Sequence, residues 1–300
     1  MVESIIMKIV FLNGGLANQV FQYIFFRYAE INKPEEEWIL DDSFFFVNRV
    51  HNGYELDKVF GLKPKLLSHA FDRDVWDYMI QLKKEQNKSI PQILMENGTD
   101  ISMMAETETW KKWNPFEGSV RILPDGDFDP EVINCPGDIY YHGYWIDKGW
   151  FRAIEKELRK ELVFPEIDDP QNMEYMKQIE STESCSIHVR RGDFVELGVA
   201  ASDDIYHDWI EEMMEHAPHM TLFVFSDDLD YCRTHMAEMG LDLPEKTVFI
   251  EGNRKDMAFR DMQLMSRCRY MIYANSSFSY LAALLNTNLN GFISQPNRRP

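Results

Sequence analysis

The chain has few cysteines, and they form no pattern that would bind zinc or build a disulfide framework. Its 300 residues include only Cys135, Cys185, Cys232 and Cys268, which are widely spaced and contain no C-x-x-C pair. Three of them lie in apolar or helical contexts, as buried thiols do. This usage fits a reducing compartment.

Basic residues are scarce. Lys and Arg number 31 against 50 Asp and Glu, which gives a net charge of −19. So acidic a surface repels nucleic acid, and we therefore exclude nucleic acid as a partner. An anionic ligand would need a local cluster of cations, so adjacent arginines mark a candidate site.

Long apolar runs and a signal peptide are also missing. No run approaches the roughly 20 residues that span a bilayer. The segment 1–6 carries an acid and no basic region, and Met7 is an alternative start. We expect a cytoplasmic protein without a transmembrane segment. Peripheral contact with the inner face of the membrane is compatible with these properties.

The length and the 45% hydrophobic content predict two domains of ordinary size. The segment 165–170 contains two prolines and three acids, which should end the preceding helix and resist a new one. We place the boundary there, giving domains 1–165 and 166–300. Most of the aromatic residues are expected in the cores, although sugar clefts also use aromatic walls.

The second domain shows a regular alternation of apolar strands and helices. This alternation predicts an α/β fold with a doubly wound parallel sheet, whose ligands bind at the carboxyl ends of the strands. The predicted strands are 184–190, 220–225, 247–250 and 270–274, and the predicted helices are 205–216, 229–239, 256–267 and 278–285.

The sequence of the first domain predicts elements only near its two ends. It begins with a strand at 8–12, a glycine turn and a helix at 18–30. A strand at 139–145 and an amphipathic helix at 148–163 close it. Residues 35–135 mix short apolar runs with turns and predict no topology.

The strongest functional signal is His188-Val-Arg190-Arg191-Gly-Asp193, which leaves a predicted strand at its carboxyl end. Two adjacent guanidinium groups suit phosphate oxygens. Because consecutive residues of an extended chain point opposite ways, one arginine can face a ligand while the other pairs with a carboxylate such as Asp193. The alternative is an interdomain salt-bridge cluster. We interpret the embedded Arg-Gly-Asp as chance.

A second signal is Asn275-Ser276-Ser277, between a strand and a helix. Free backbone N–H groups and hydroxyls at a helix N-terminus form an anion site. Ordinary N-capping explains the same residues and is compatible with phosphate binding.

Asp261 is a third candidate, since it interrupts an apolar helical stripe and needs a donor partner. It could accept hydrogen bonds from the N1–H and amino group of guanine. A buried pairing with an arginine is the equal alternative.

Two acidic motifs are open to a metal interpretation. Asp227-Asp228 follows a strand, but capping of the next helix is favoured over metal binding. Asp125-Gly126-Asp127 matches the D-x-D pattern of metal-dependent sugar transferases. It lies in a proline-flanked loop without a preceding strand, and turn chemistry explains it.

The glycine turn 13–19 permits close approach of a ligand to the backbone. It is neither a G-x-G-x-x-G motif nor a P-loop, and a tight turn alone accounts for it.

Taken together, these motifs resemble those of the bacterial α-1,2-fucosyltransferases of glycosyltransferase family 11. In order and spacing the match spans about residues 8–286. The matching segments are 14–23, 142–145, 188–193, 225–228, 251–253, 261–266 and 274–279.

The resemblance implies a two-domain GT-B-like fold, with a GDP-fucose-binding domain at 166–300 and an acceptor-side domain at 1–165. It implies a galactoside α-1,2-fucosyltransferase that inverts GDP-β-L-fucose, uses no metal and needs no cofactor. The implied acceptor is a galactose-containing oligosaccharide or a lipid-linked glycan. Another GDP-sugar transferase of the superfamily and a non-catalytic GDP-sugar or glycan binder are the alternatives.

The resemblance also assigns residues. Arg190 matches the β-phosphate contact, His188 and Asp261 the guanine contacts, and Ser276 and Ser277 the pyrophosphate contacts. The resemblance does not assign the base: Asp193 and Glu196 are candidates because they lie near Arg190 in the sequence, and a loose transition state would need no strong base. The remaining implied donor-side residues are Arg191, Asp228 and Asn275, and the implied acceptor-side or sugar-side residues are Gly15, Asn18, Gln19 and His142.

The chain departs from the family pattern at several positions, which affect the choice of acceptor more than the choice of donor. The tail 287–300 lacks the family's closing basic-aromatic segment. The other departures are Ala17, Ile146 and Tyr280-Leu281.

Overall fold

The computed structural model divides into two compact units, Met1–Val163 and Phe164–Pro300. The predicted boundary after residue 165 lies close to this division. The residues that the structure describes are 6–48, 50–112, 116–243, 246–273 and 275–294.

The first unit contains a parallel sheet of five strands in the order β2-β1-β5-β3-β4. Its strands are β1 (Met7–Phe11), β2 (Glu37–Asp41), β3 (Ile101–Glu106), β4 (Val120–Leu123) and β5 (Asp138–His142). Its helices are α1 (Leu16–Asn32), α2 (Phe44–Val47), α3 (Leu56–Phe60), α4 (Arg73–Gln86), α5 (Ile90–Glu96), α6 (Thr107–Lys112), α7 (Lys148–Ala153) and α8 (Glu155–Glu161).

The sequence predicted β1, α1 and β5 and missed β2, β3 and β4. Strand β3 is buried along almost its whole length, so its side chains do not alternate between apolar and polar. Strand β4 lies at the edge of the sheet and is largely exposed, which removes the apolar signal. Neither strand therefore shows a period of two or a continuous apolar run, which are the two patterns that predict a strand.

The helix predicted over 148–163 is two helices, and the prediction of one continuous helix was wrong. The chain leaves helical geometry at Ile154, with φ −133° and ψ 31°, between α7 and α8. The predicted apolar face is nevertheless buried: Phe151, Ile154, Leu158 and Leu162 are at most 5% exposed. Periodicity reports which face is buried and does not report whether the backbone hydrogen bonds continue.

The second unit contains another parallel sheet of five strands, in the order β10-β9-β6-β7-β8. Its strands are β6 (Ser184–Val189), β7 (Thr221–Ser226), β8 (Thr247–Phe249), β9 (Tyr270–Tyr273) and β10 (Gly291–Ser294). Its helices are α9 (Pro170–Ser181), α10 (Gly192–Glu196), α11 (Asp203–His216), α12 (Leu229–Thr234), α13 (Phe259–Met265) and α14 (Ser277–Leu285). None of the helices in the described parts of either unit is both long and apolar enough to cross a bilayer.

The four strands predicted for this unit are confirmed, and the edge strand β10, the helix α9 and the short α10 were missed. The predicted linker overestimated how far Pro170 resists a helix. Asp169 caps α9 by accepting from the backbone N–H of Asn172 at 2.8 Å, and Pro170 occupies the first helical position. A proline is favourable there because its missing N–H would have no intrahelical partner.

Candidate functional site

The sheet of the second unit has a topological switch point between β6 and β9. From β6 the chain continues to β7 and β8 on one side, whereas β9 and β10 lie on the other. In open α/β sheets the loops at such a switch point form the ligand site, so the loops after β6 and β9 are the candidate ligand edge. The loop after β6 carries Arg190 and Arg191, and the loop after β9 carries Asn275 and Ser276. The fold thus brings the two strongest sequence motifs to one edge.

Arg190 is held by two carboxylates of its own unit. Its Nη1 atom lies 2.8 Å from Oδ2 of Asp227, and its Nη2 atom donates to Oδ1 of Asp193 at 2.7 Å. The guanidinium carbon lies 5.6 Å from the ring centre of Phe194. The side chain remains 31% exposed, so a ligand can reach it. Because both carboxylates belong to the second unit, these ion pairs do not form an interdomain cluster.

Arg191 has its own set of partners, but its backbone is not extended (φ −121°, ψ −76°), and the predicted carboxylate partner Asp193 pairs with Arg190 instead. Its guanidinium carbon lies 3.2 Å from the ring centre of Tyr231, and its Nε lies 3.9 Å from Oδ2 of Asp228. Nε is buried and has no hydrogen-bond partner within the described chain. The side chain therefore supplies positive charge beside the site while its position is fixed by stacking.

The two acids after β7 have separate roles. Asp227 Oδ1 accepts from the backbone N–H of Arg191 at 2.9 Å while Oδ2 pairs with Arg190. A Cβ atom on Gly192 would lie 2.6 Å from that Oδ2, so glycine leaves room for the carboxylate. Asp228 caps α12 by accepting from the N–H of Tyr231 at 3.1 Å, which confirms the predicted capping.

His188 is 7% exposed, and its Nδ1 lies 3.0 Å from Oγ of Ser279. Burial, and secondarily the charge of Arg190, lower the pKa of this imidazole to about 3. His188 is therefore neutral near pH 7 and offers hydrogen bonds rather than charge.

Helix α14 begins beside the switch point. Ser276 is its N-cap and accepts from the N–H of Phe278 at 3.3 Å, so the capping interpretation is confirmed. Asn275 donates through Nδ2 to the carbonyl of Val199 at 3.3 Å. Its Oδ1 is buried and has no hydrogen-bond partner among the described residues. Ser277 is the first residue of the helix, where the backbone N–H groups face an anion most favourably.

Asp261 lies on α13, is half-buried and pairs with an amide rather than with an arginine. Asn253 Nδ2 donates to its Oδ1 at 2.8 Å. Burial raises the pKa of Asp261 to about 7, although Asn253 and the charge of Arg254 oppose this shift. The arginine interpretation fails because the adjacent Arg260 instead donates to the carbonyls of residues 165 and 166, each at 2.8 Å.

The loop after β8 joins Asp261 to the arginine pair. Asn253 in this loop binds Asp261, and the next residue, Arg254, donates through Nη1 to the backbone carbonyl of Asp227 at 3.3 Å. Asp227 in turn holds Arg190. These contacts make one connected polar network along the carboxyl edge of the sheet. Sequence reasoning identified Arg190, Asp227 and Asp261 and missed two members of the network. These are Arg254 and Asn253, and the only signal for Asn253 was its place in the Glu-Gly-Asn segment of the family resemblance.

The glycine turn of the first unit is packed against Asn18. Gly14 has φ +76°, and a Cβ atom there would lie 2.7 Å from Nδ2 of Asn18. Gly15 is the N-cap of α1 and has φ −80°. The turn therefore fixes where the Asn18 side chain lies, beside the first turn of the helix.

Gln19 is fully buried, and its amide is used by the backbone. Nε2 donates to the carbonyls of Gly14 and Gly53, both at 2.9 Å, and Oε1 accepts from the N–H of Glu55 at 2.9 Å. Gln19 thus ties the loop before α3 to the glycine turn. Its predicted place on the sugar side stays a prediction, and any effect on a ligand would be exerted through this loop.

His142 lies at the carboxyl end of β5 with only 4% of its surface exposed. Its ring centre is 4.8 Å from that of Phe11, in an edge-on arrangement. Burial, and secondarily the charge of Lys83, lower its pKa to about 3. Within the first unit the ring packs against β1, and the predicted place of His142 on the acceptor side stays a prediction.

Glu106 at the end of β3 was missed by the sequence reasoning. It is 3% exposed, and its carboxylate accepts from the backbone N–H groups of Tyr144 at 2.6 Å, Trp145 at 3.0 Å and Gly126 at 3.1 Å. Burial raises its pKa while these bonds oppose the shift. The D-x-D loop is thus bound through Gly126, and Asp125 accepts from the N–H of Glu108 at 2.9 Å. These contacts tie the loop to the end of β3 and to the start of α6, and metal independence stays a prediction.

Comparison with known proteins decides the family. The family model of glycosyl transferase family 11 matches residues 94–298. The chain belongs to this family. An alpha-1,2-colitosyltransferase of Escherichia coli is 29% identical over 280 residues, which cover 91% of this chain and 86% of that protein. The O-antigen biosynthesis glycosyltransferase WbnK of Escherichia coli is 24% identical over 310 residues, which cover 96% and 93% of the two chains.

The fold agrees with this assignment. A crystal structure of POFUT1 in complex with GDP-fucose matches with a TM-score of 0.50 and 12% identity, covering 96% of this chain and 98% of that one. Each unit has a parallel five-stranded sheet. The predicted α/β, GT-B-like fold with a Rossmann-like second domain is therefore confirmed, and this family 11 member is a glycosyltransferase.

Proposed function

We propose that this family 11 enzyme transfers L-fucose from GDP-β-L-fucose to O2 of a galactose residue in a glycan, with inversion and without a metal ion. The observation that carries the proposal is the place of Arg190. It lies at the switch point of a nucleotide-binding type of sheet, is anchored by Asp227, and stays partly exposed. Fixed positive charge at this edge suits the diphosphate of a sugar nucleotide.

The reaction breaks the bond between C1 of fucose and an oxygen of the β-phosphate, and it forms a bond from C1 to the acceptor O2. Negative charge grows on the departing diphosphate, while positive charge grows on the sugar ring. Arg190 and the N-terminus of α14 after Ser276 would stabilise the diphosphate. Arg191 adds charge nearby without having to move, because it is stacked on Tyr231.

The guanine base is assigned to Asp261, with His188 as a second contact. An ionised carboxylate accepts from both N1–H and the 2-amino group of guanine, and adenine offers no matching pair of donors. The neutral imidazole of His188 contributes a hydrogen bond but no charge. The diphosphate would therefore lie between Asp261 and α14, in contact with Arg190.

The acceptor hydroxyl loses its proton as C1 is attacked. Asp193 and Glu196 are the candidate bases, and a loose transition state would need neither. Asp193 is also a partner of Arg190, so an arriving phosphate would compete with it and release its carboxylate. The sugar side of the site is assigned to Gly15, Asn18 and Gln19. Of these, Asn18 is the residue proposed to contact the sugar. The proposed acceptor is a galactose-containing oligosaccharide or lipid-linked glycan.

A second donor has a specific observation in its favour. The relative that is 29% identical is named as a colitosyltransferase. Colitose is fucose without the 3-hydroxyl group, so both donors share the GDP portion and differ at one position of the sugar. The network around Arg190 and Asp261 would bind the shared GDP portion of either donor equally well. The sugar-side residues would determine whether fucose or colitose is transferred.

The test is GDP release from GDP-fucose and from GDP-colitose, with galactosides as acceptors and with EDTA present. We expect acceptor-dependent release, and an α-1,2 linkage in the product by NMR. Faster turnover of GDP-colitose than of GDP-fucose would identify GDP-colitose as the donor and leave the proposed mechanism unchanged. Loss of all release in EDTA would contradict metal independence, and GDP-fucose binding without transfer to any galactoside would indicate the non-catalytic binder.

A further inference from the structure

The carboxylate of Asp261 is the end of a chain of buried hydrogen bonds. Asn253 and Asn172, which are 7% and 3% exposed, form a reciprocal amide pair. Asn253 Nδ2 donates to Asn172 Oδ1 at 2.9 Å, and Asn172 Nδ2 donates to Asn253 Oδ1 at 2.8 Å. The pair joins α9 to the loop after β8.

Each amide also donates to a carboxylate on its outer side. Asn253 Nδ2 donates to Asp261 Oδ1 at 2.8 Å, and Asn172 Nδ2 donates to Asp169 Oδ1 at 3.0 Å. With one proton directed at the partner amide and one at a carboxylate, each NH₂ group is fully used. Rotating either amide by 180° would place its oxygen against a carboxylate, so the orientation of both is fixed.

This arrangement leaves part of Asp261 available. Oδ1 receives one hydrogen bond and keeps a second acceptor site, while Oδ2 has no hydrogen-bond partner within the described residues. Reading guanine needs both oxygens in the plane of the base, because N1–H and the 2-amino group lie side by side. A carboxylate free to rotate about its Cβ–Cγ bond would lose that preorganisation.

We propose that Asn253, held by Asn172, is a positioning residue for guanine recognition: it fixes the plane of the Asp261 carboxylate so that the site prefers guanine to purines lacking the 2-amino group. The proposal rests on the proposed function, which assigns guanine to Asp261. Asn253 itself contacts no ligand. It acts by orienting the group that does.

The test compares binding of GDP and IDP by calorimetry, since IDP retains N1–H and lacks only the 2-amino group. We expect wild type to favour GDP by about tenfold or more, as one charge-assisted hydrogen bond allows. Asn253→Ala should weaken GDP binding by about tenfold and reduce the GDP/IDP ratio toward 1. In an Asp261→Asn background, Asn253→Ala should have no further effect on the ratio.

A matched control separates orientation from stability. Asn286 is also 7% exposed in the same unit and donates to the carbonyl of Cys268 at 2.7 Å. Asn286→Ala should lower the melting temperature and leave the GDP/IDP ratio at the wild-type value. If Asn253→Ala does not fold, Asn172→Ala keeps the donor to Asp261 and should reduce the ratio by a smaller factor.

The outcomes distinguish the two proposals. If Asp261→Asn abolishes the preference for GDP while Asn253→Ala and Asn172→Ala both retain it, the positioning role is wrong and the proposed function stands. If wild type binds GDP and IDP equally, Asp261 does not read guanine, and the assignment beneath both proposals is wrong.

Discussion

The carboxylate of Asp227 lies 2.8 Å from Nη1 of Arg190, and it also accepts the backbone N–H of the next residue at 2.9 Å. One side chain after β7 therefore fixes both the guanidinium group and the backbone of the loop after β6. The close approach depends on Gly192, whose missing Cβ leaves space for the carboxylate. Arg190, the arginine proposed to contact the diphosphate, is thus held in place by a residue that follows the neighbouring strand.

Asp227→Asn keeps the shape of this contact and removes its charge. The NH₂ group of the new asparagine side chain would then face either Nη1 of Arg190 or the backbone N–H of Arg191. Both of these groups are donors and an NH₂ group cannot accept from them, so Arg190 should lose its fixed position. We expect kcat/KM to fall by about 10- to 100-fold, in line with the loss of a hydrogen bond between charged groups. Steady-state kinetics with GDP-fucose would measure the change. Unaltered kinetics would show that Asp193 alone suffices to hold Arg190.

Arg190→Ala should lower kcat on the order of 10²–10³-fold, because it removes a preorganised charge from the leaving group. Arg190→Lys should not restore the rate, since an ammonium group lacks the planar fork. Arg267→Ala is the control: Arg267 is an exposed arginine of the same unit that pairs with Glu180 at 2.9 Å. Near-normal turnover in either Arg190 variant would overturn the assignment.

Binding of GDP-fucose should depend on pH through Asp261. Its pKa is raised to about 7 in the ligand-free protein by burial, and guanine requires the ionised form. Affinity should therefore be full above pH 8 and fall as pH drops through 7, by about tenfold between pH 8 and pH 6. GDP-fucose is the suitable probe because its diphosphate does not titrate in this range. A pH-independent Kd, or the same pH dependence in Asp261→Asn, would contradict this origin.

Gly14→Ala should impair catalysis beyond its effect on stability. Its φ of +76° makes alanine strained by about 1–2 kcal/mol, and the new Cβ would also displace Asn18. Gly61→Ala is the matched control, because Gly61 has φ +65° and an added Cβ atom would meet nothing within 4 Å. Both variants should lower the melting temperature by a few degrees. Only Gly14→Ala should reduce kcat/KM, by about 10-fold or more. If the two variants were equally active, the assignment of Asn18 to the site would be wrong.

The fold of the second unit was largely predictable because its central strands carry clear strand patterns and alternate with helices. Strands β7 and β9 are apolar runs, β6 alternates polar with apolar residues, and the polar residues that follow all three mark the candidate ligand edge. The first unit was less predictable. Its strand β3 is buried without alternation and β4 is an exposed edge, so neither has a period that sequence reasoning detects.

For the candidate site, sequence reasoning found Arg190, Asp227 and Asp261 and missed the amide groups that bind Asp261. Arg190 and Asp261 were evident as charged residues at strand ends or in apolar stripes. Asn253 and Glu106 were not, because an amide in a loop and an acid at a strand end are ordinary features of a sequence. The burial of His142 was not predictable from its motif, because it depends on Phe11 in a distant segment.

The sequence by itself determined the family, the alternation that builds the second sheet and the residue types available to bind a diphosphate. It could do so because these depend on local composition and on short motifs in order. Only the tertiary structure decided that Asp227 pairs with Arg190, that Asn253 pairs with Asn172 and donates to Asp261, and that His142 is buried. These outcomes depend on which strands become neighbours and on which polar atoms find partners, and both are set by contacts between residues far apart in the chain.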